Sequence, residues 1–152
     1  MSEVQFTISS LKYVQADAGA FIDVGNEVAR LVKLQLPISG GISLKTVAKT
    51  DSTNLRLYWH VGEVIFNWEC SVRRLKVHDP ATGQWWDADE EGFIEVNQWH
   101  DIAWEIAPDS MRVLVDGKVR FERSGDWGSI EAPVAIGPCF GSTVTVRSLT
   151  VE

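Results

Sequence analysis

The chain has only two cysteines and three histidines, and its 14 Lys and Arg are outnumbered by 21 Asp and Glu. Each shortage excludes something. Cys70 and Cys139 match neither a CxxC redox pair nor a zinc-ligand spacing. They read as buried thiols in a reduced compartment or, if the domain is excised from a larger secreted protein, as a long-range disulfide. His60, His78 and His100 fall in no His-x-His or His-x-x-x-His pattern, so imidazoles alone form no metal site. A net charge of -7 argues against a phosphate-backbone partner, which needs clustered cations, so no nucleic acid is expected. No apolar run approaches the roughly 20 residues that cross a bilayer, and no membrane partner is expected. The opening Met1-Ser2-Glu3-Val4-Gln5-Phe6 lacks the basic start and apolar stretch of a signal peptide. The expected location is cytoplasmic as written, or extracellular if the domain comes from a secreted parent.

Helical periodicity is also scarce. What fills the chain instead is alternation of apolar and polar residues, broken by Gly, Pro, Asn and Asp, the pattern of half-buried strands. Val4, Phe6 and Ile8 alternate with Gln5, Thr7 and Ser9, and Ile42 and Leu44 continue the habit. Glu27 to Leu36 is ambiguous between helix and strand and is read as strand. Asp116-Gly117, between Val113-Leu114-Val115 and Lys118-Val119-Arg120-Phe121, predicts a hairpin with a type I′ turn. Thr143 to Val146 predicts a strand from its β-branched residues. Apolar residues make up 45% of the 152, enough for one core, so residues 1–152 are read as a single domain. Many short strands without helices to cover a parallel sheet leave an antiparallel two-sheet sandwich or a closed barrel.

Trp99-His100-Asp101-Ile102-Ala103-Trp104-Glu105-Ile106, followed by Met111-Arg112-Val113-Leu114-Val115-Asp116-Gly117-Lys118, resembles the W-x-x-I-x-W/F-x-I and V-x-V-D-G pattern of concanavalin A-like lectin and glucanase domains. Val134-Ala135-Ile136-Gly137 and Gly141-Ser142 also resemble that family, which includes laminin G-like and galectin-like branches. The resemblance implies an all-β, antiparallel two-sheet jelly roll whose concave sheet is the sugar platform. It departs from galectins, having no H-x-N-x-R strand and Asp89 where galectins place the Glu of Trp-x-x-Glu, so β-galactoside specificity is not implied.

A second hairpin predicts a face. A turn at Val61-Gly62 sets Arg56 opposite Asn67, Tyr58 opposite Ile65 and His60 opposite Glu63, and cross-strand partners share a side of the sheet. Leu55, Leu57, Trp59, Val64, Phe66 and Trp68 then face the core. Arg56, Tyr58, His60, Glu63, Ile65, Asn67 and Glu69 share the other side, joined by Arg74, Lys76 and His78 if the next strand is Arg73 to His78. Rows about 4.8 Å apart suit the spacing of sugar hydroxyls. Arg56, Tyr58, His60, Asn67, Glu69, Arg74 and His78 are therefore candidate ligand-binding residues, weighed against an ordinary solvated face. Trp85 and Trp86, read as lying in a loop, are either stacking rings for a pyranose or packing at the sandwich edge. Trp99 and Trp104 are read as core or near-core.

Glucanases on this fold carry paired carboxylates about 5 to 5.5 Å apart. Asp87-Ala88-Asp89-Glu90-Glu91 lacks their E-x-D-x-x-E order, and it reads as a solvated acidic loop, a calcium site through Asp87 and Asp89, or a catalytic run. Glu69 with a partner such as His78 or Asp79 is the other acid/base pairing available. No Ser or Cys triad is present. The function read from these residues is a non-catalytic carbohydrate-binding domain whose partner is an oligosaccharide. A glycoside hydrolase and a protein-interaction or structural sandwich stand as alternatives.

Overall fold

The computed structural model describes residues 6–9, 20–26, 29–34, 38–39, 42–132 and 134–151. Among them are strands and no helix: β1 (Phe6–Ser9), β2 (Ala20–Asn26), β3 (Ala29–Leu34), β4 (Ile38–Ser39), β5 (Ile42–Thr50), β6 (Leu55–Trp59), β7 (Gly62–Phe66), β8 (Leu75–His78), β9 (Trp85–Ala88), β10 (His100–Ile106), β11 (Ser110–Val115), β12 (Lys118–Ser124), β13 (Glu131–Ala132), β14 (Val134–Pro138) and β15 (Thr143–Val151). They form a six-stranded sheet, β1-β15-β5-β10-β11-β12, a seven-stranded sheet, β2-β3-β14-β6-β7-β8-β9, and a short β13-β4 ribbon. Every ladder among the described residues is antiparallel, so the chain is a two-sheet sandwich with open edges rather than a closed barrel. The ambiguous stretch is strand over 29–34; its remaining residues 27–28 and 35–36 lie outside the described residues, as do the expected Val4 and Gln5.

Alternation makes the core. Leu44, Ile102, Trp104, Val113, Val144 and Val146 of the first sheet meet Leu57, Trp59, Val64, Phe66, Val77 and Ile136 of the second. Each such side chain contributes roughly 1.5–3 kcal/mol of burial. Two of the fully buried indoles have hydrogen-bond partners, while Trp104 Nε1 has none among the described residues. Trp59 Nε1 donates to the Ala132 carbonyl at 3.0 Å, and Trp127 Nε1 to Asp79 Oδ1 at 2.8 Å. At the sandwich edge Trp86 of β9 stacks on Phe121 of β12, with centroids 5.9 Å apart, under the Arg123 guanidinium.

Asp116 and Gly117 take φ of +51° and +82° and set Val115 opposite Lys118, as the I′ turn requires. The β6–β7 hairpin turns one residue earlier than expected, at His60-Val61, with His60 at φ +55° and Trp59 opposite Gly62. Gly62 is a strand residue, placed where a Cβ would stand 2.8 Å from Pro80. The pairing therefore slides by two, setting Arg56 opposite Ile65 and Tyr58 opposite Glu63. Two is the side-chain period, so each residue keeps its face.

Past Phe66 the alternation breaks. Asn67 adopts φ +50°, and its side chain is buried: Nδ2 donates to the Ile94 and Ser52 carbonyls and Oδ1 accepts from the Ile94 N–H. Trp68 is turned out of the core that the regular pattern assigned it to, and its ring meets Lys76. Trp104 is fully buried, whereas Trp99 is half-buried with Lys49 and Arg147 over its ring at 4.6 and 4.1 Å. Cys139 is buried and Cys70 exposed, and the two are unpaired. Trp85 and Trp86 form a strand rather than a loop, and a strand sends them to opposite sides.

Candidate functional site

The outward side of the seven-stranded sheet carries Arg56 and Tyr58 on β6, Glu63 and Ile65 on β7, Lys76 and His78 on β8, and Trp85 and Asp87 on β9. The ladders set Tyr58 beside Glu63, Glu63 beside His78, and His78 beside Trp85. A cleft of about 440 Å³ lies here, lined by Arg56, Glu63, Ile65, Trp68, Glu69, Cys70, His78, Trp85 and Phe140.

Arg56 is its organising cation. Nε and Nη2 both donate to Asn54 Oδ1, at 3.0 and 2.9 Å, while Nη1 reaches Glu63 at 3.2 Å and Nη2 reaches Glu69 at 3.0 Å. The guanidinium also lies 5.6 Å from the centre of the Phe140 ring. Burial is the largest single influence and works against the charge, but the neighbouring Glu63 carboxylate, through its charge and its hydrogen bond, together with Tyr58 and Cys139, raises the Arg56 pKa. Tyr58 is pushed well above the ordinary phenol range, first by burial and then by the same carboxylate. It serves as a neutral hydroxyl.

Lys76 is enclosed in the same way. Its ammonium pairs with Asp87 at 2.6 Å and lies 4.4 and 4.8 Å from the ring centres of Trp85 and Trp68. His78 Nδ1 sits 3.5 Å from a Glu63 oxygen, while its Nε2 is buried without a hydrogen-bond partner. Burial lowers the His78 pKa despite Glu63, so the ring is neutral near pH 7. These contacts fix the polar side chains before any ligand arrives, and preorganisation lowers the ordering cost of binding.

The expected residues divide accordingly. Arg56, Glu69, His78 and Trp85 line the cleft, and Tyr58 adjoins it. His60 does not: at the hairpin turn, its Nδ1 meets the Pro80 carbonyl at 2.8 Å. Arg74 precedes β8 and pairs with Asp89. Asn67 is spent on backbone groups and Trp86 on the sandwich edge, so neither offers a free surface to a ligand. In the acidic run Asp87 pairs with Lys76, Asp89 with Arg74 and Glu90 with Arg73, which divides the carboxylates among separate cations. Among the described residues no group of three or more His, Cys, Asp or Glu is placed to hold a metal ion.

Sequence reasoning missed Trp68 and Phe140 as cleft residues. Phe140 had a readable signal, since a large apolar residue followed by glycine in a turn has no core to enter; it sits at φ +51° and is 58% exposed. Trp68 had none, because only the Asn67 backbone turns it outward. Two depressions on the six-stranded sheet have no aromatic wall. One is lined by Glu105, Arg112 and Glu122, the other by Lys45, Val47, Ala103 and Leu114.

Neither a protein-family model nor a curated protein matches the chain. Solved structures share its fold along most of its length. A carbohydrate-binding module from Bacillus subtilis superposes with a TM-score of 0.65 at 10% identity, covering 96% of this chain and 94% of that one. A galectin from Caenorhabditis elegans gives 0.59 at 12%, covering 88% and 96%. A β-1,3-glucanase from Mycobacterium marinum gives 0.59 at 16%, covering 97% and 74%. Identities this low establish shared architecture alone, and together with the two antiparallel sheets they make the chain an all-β jelly-roll sandwich.

Proposed function

We propose that the chain is a non-catalytic carbohydrate-binding domain whose site is the cleft on β6 to β9. The observation that carries this is the pairing of aromatic walls with a fixed polar floor. Trp85 and Phe140, 56% and 58% exposed, stand with Trp68 around Arg56, Glu63, Glu69 and His78. Exposed rings of this size are costly to leave in water unless something covers them, and the apolar face of a pyranose is suited to do so. The salt-bridged carboxylates of Glu63 and Glu69 offer acceptors to sugar hydroxyls. Neighbours named as a carbohydrate-binding module and a galectin support the reading.

The hydrolase alternative draws on Glu63 and Glu69 and on a neighbour named as a glucanase. Its two-carboxylate mechanism asks for one carboxyl screened from cations to act as the acid. Both glutamates contact the Arg56 guanidinium, at 3.2 and 3.0 Å. This supports binding over bond cleavage.

A glycan array probed with the purified chain tests the proposal, with hits checked by tryptophan fluorescence. Binding to a defined oligosaccharide, recovered unhydrolysed after prolonged incubation, is expected. An array without hits at high protein density contradicts the binding function, and release of reducing ends from a bound glycan contradicts its non-catalytic character.

A further inference from the structure

Among the described residues, every cation that faces the cleft is already matched, and the carboxylates exceed the cations. Arg56 has four hydrogen bonds to Asn54, Glu63 and Glu69. Lys76 is held by Asp87 and flanked by the Trp68 and Trp85 rings, and its side chain is 7% exposed. Arg74, beside β8, is turned to Asp89. One guanidinium therefore stands against two carboxylates, Glu63 and Glu69, with the Lys76–Asp87 pair neutral and His78 uncharged near pH 7. From these contacts we infer that the cleft selects neutral glycans and rejects those bearing carboxylate, sulfate or phosphate groups. The inference rests on the carbohydrate-binding reading and gives it a substrate class.

The physical reason is discrimination by an unmatched like charge. An anionic group entering beside Arg56 would have to displace Glu63 or Glu69, leaving that carboxylate partly buried without its partner. Otherwise it would sit beside two negative side chains with no free donor cation among the described residues of the cleft. A neutral hydroxyl meets no such penalty. It donates to an outward carboxylate oxygen of Glu63 or Glu69 while their bonds to Arg56 remain in place.

The test uses the intact chain, isothermal titration and two probe sets of similar length. Gluco-, manno-, galacto-, xylo- and fructo-oligosaccharides form the neutral set; oligogalacturonides, hyaluronan fragments and sulfated carrageenan oligosaccharides form the acidic set. Binding is assigned to the cleft by its loss in Trp85→Ala. At least one neutral probe is expected to bind tenfold or more tightly than every acidic probe. Glu69→Gln, which removes one negative charge and frees an Arg56 donor, is expected to narrow that gap by several-fold. An acidic probe binding at the cleft within tenfold of the best neutral one, or tighter, overturns the selectivity and leaves the glycan reading standing. A gap unchanged in a folded Glu69→Gln overturns the proposed cause. Failure of both sets to bind defeats the carbohydrate reading beneath it.

Discussion

The indole of Trp85 lies on the imidazole of His78, with ring centres 4.2 Å apart and planes inclined by 20°. This stack joins the exposed wall of the cleft to a buried polar atom, His78 Nε2. It also orients the ring of an edge strand, where side chains otherwise have wide rotamer freedom.

Trp85→Ala removes the stacking surface and should weaken binding of the best glycan by tenfold or more, measured by isothermal titration. Since Trp85 is 56% exposed, the variant should lose only about 1 kcal/mol of stability, chiefly from its contacts with His78 and Lys76. Undiminished affinity in this variant would remove Trp85 from the site.

Asn67→Ala should act on the fold instead. The substitution orphans the Ile94 N–H and two carbonyls and leaves alanine at φ +50°. Together these cost about 2–4 kcal/mol. Urea denaturation should show that loss, while the remaining folded protein binds glycan as before. An unchanged midpoint with abolished binding would restore Asn67 to the ligand-contacting set.

Gly62 and Gly117 are required for opposite reasons, and substitutions separate them. Gly117 has open space around its missing Cβ but sits at φ +82°, so Gly117→Ala costs about 1–2 kcal/mol and Gly117→Asn recovers most of it. Gly62 lacks room, since a methyl group there would stand 2.8 Å from Pro80, so Gly62→Ala costs about 1–3 kcal/mol and Gly62→Asn costs more. Thermal melts of the four variants check the contrast, and rescue of Gly62 by asparagine would contradict it.

Acid should destabilise the chain through His78. Its pKa is lowered from 6.5 in the fold because burial disfavours the cation, so the unfolded chain binds a proton that the native state refuses. The contribution is whole above an unfolded pKa of about 6.5 and declines as pH falls from there toward the folded value. The thermal midpoint of the parent should drop between about pH 7.5 and pH 5, and that of His78→Gln should drop less. Parallel declines would place the acid sensitivity elsewhere.

Much of the fold was legible because sheet burial follows a period of two. Leu55, Leu57, Trp59, Val64 and Phe66 announce one buried side, and that assignment survives a two-residue error in register. The register itself was not legible. A glycine after valine reads as a turn residue, whereas Gly62 answers to Pro80, 18 positions along the chain. The site was half legible. Arg56, Glu69 and His78 could be grouped from alternation and Trp85 singled out as a stacking ring, though in a loop, but Asn67 looked like a ligand contact because asparagine reads as polar surface, and only tertiary structure supplies the Ile94 and Ser52 groups that absorb it. Trp68 went unassigned to the cleft for the same cause, since its outward turn depends on the Asn67 backbone.

A crystal structure of the chain with its best neutral oligosaccharide locates the ligand directly. A sugar ring is expected against Trp85 or Phe140, with hydroxyls donating to Glu63 or Glu69 while both remain bonded to Arg56. A ligand seated on the six-stranded sheet, or one that parts Arg56 from its carboxylates, would contradict the cleft as the binding site.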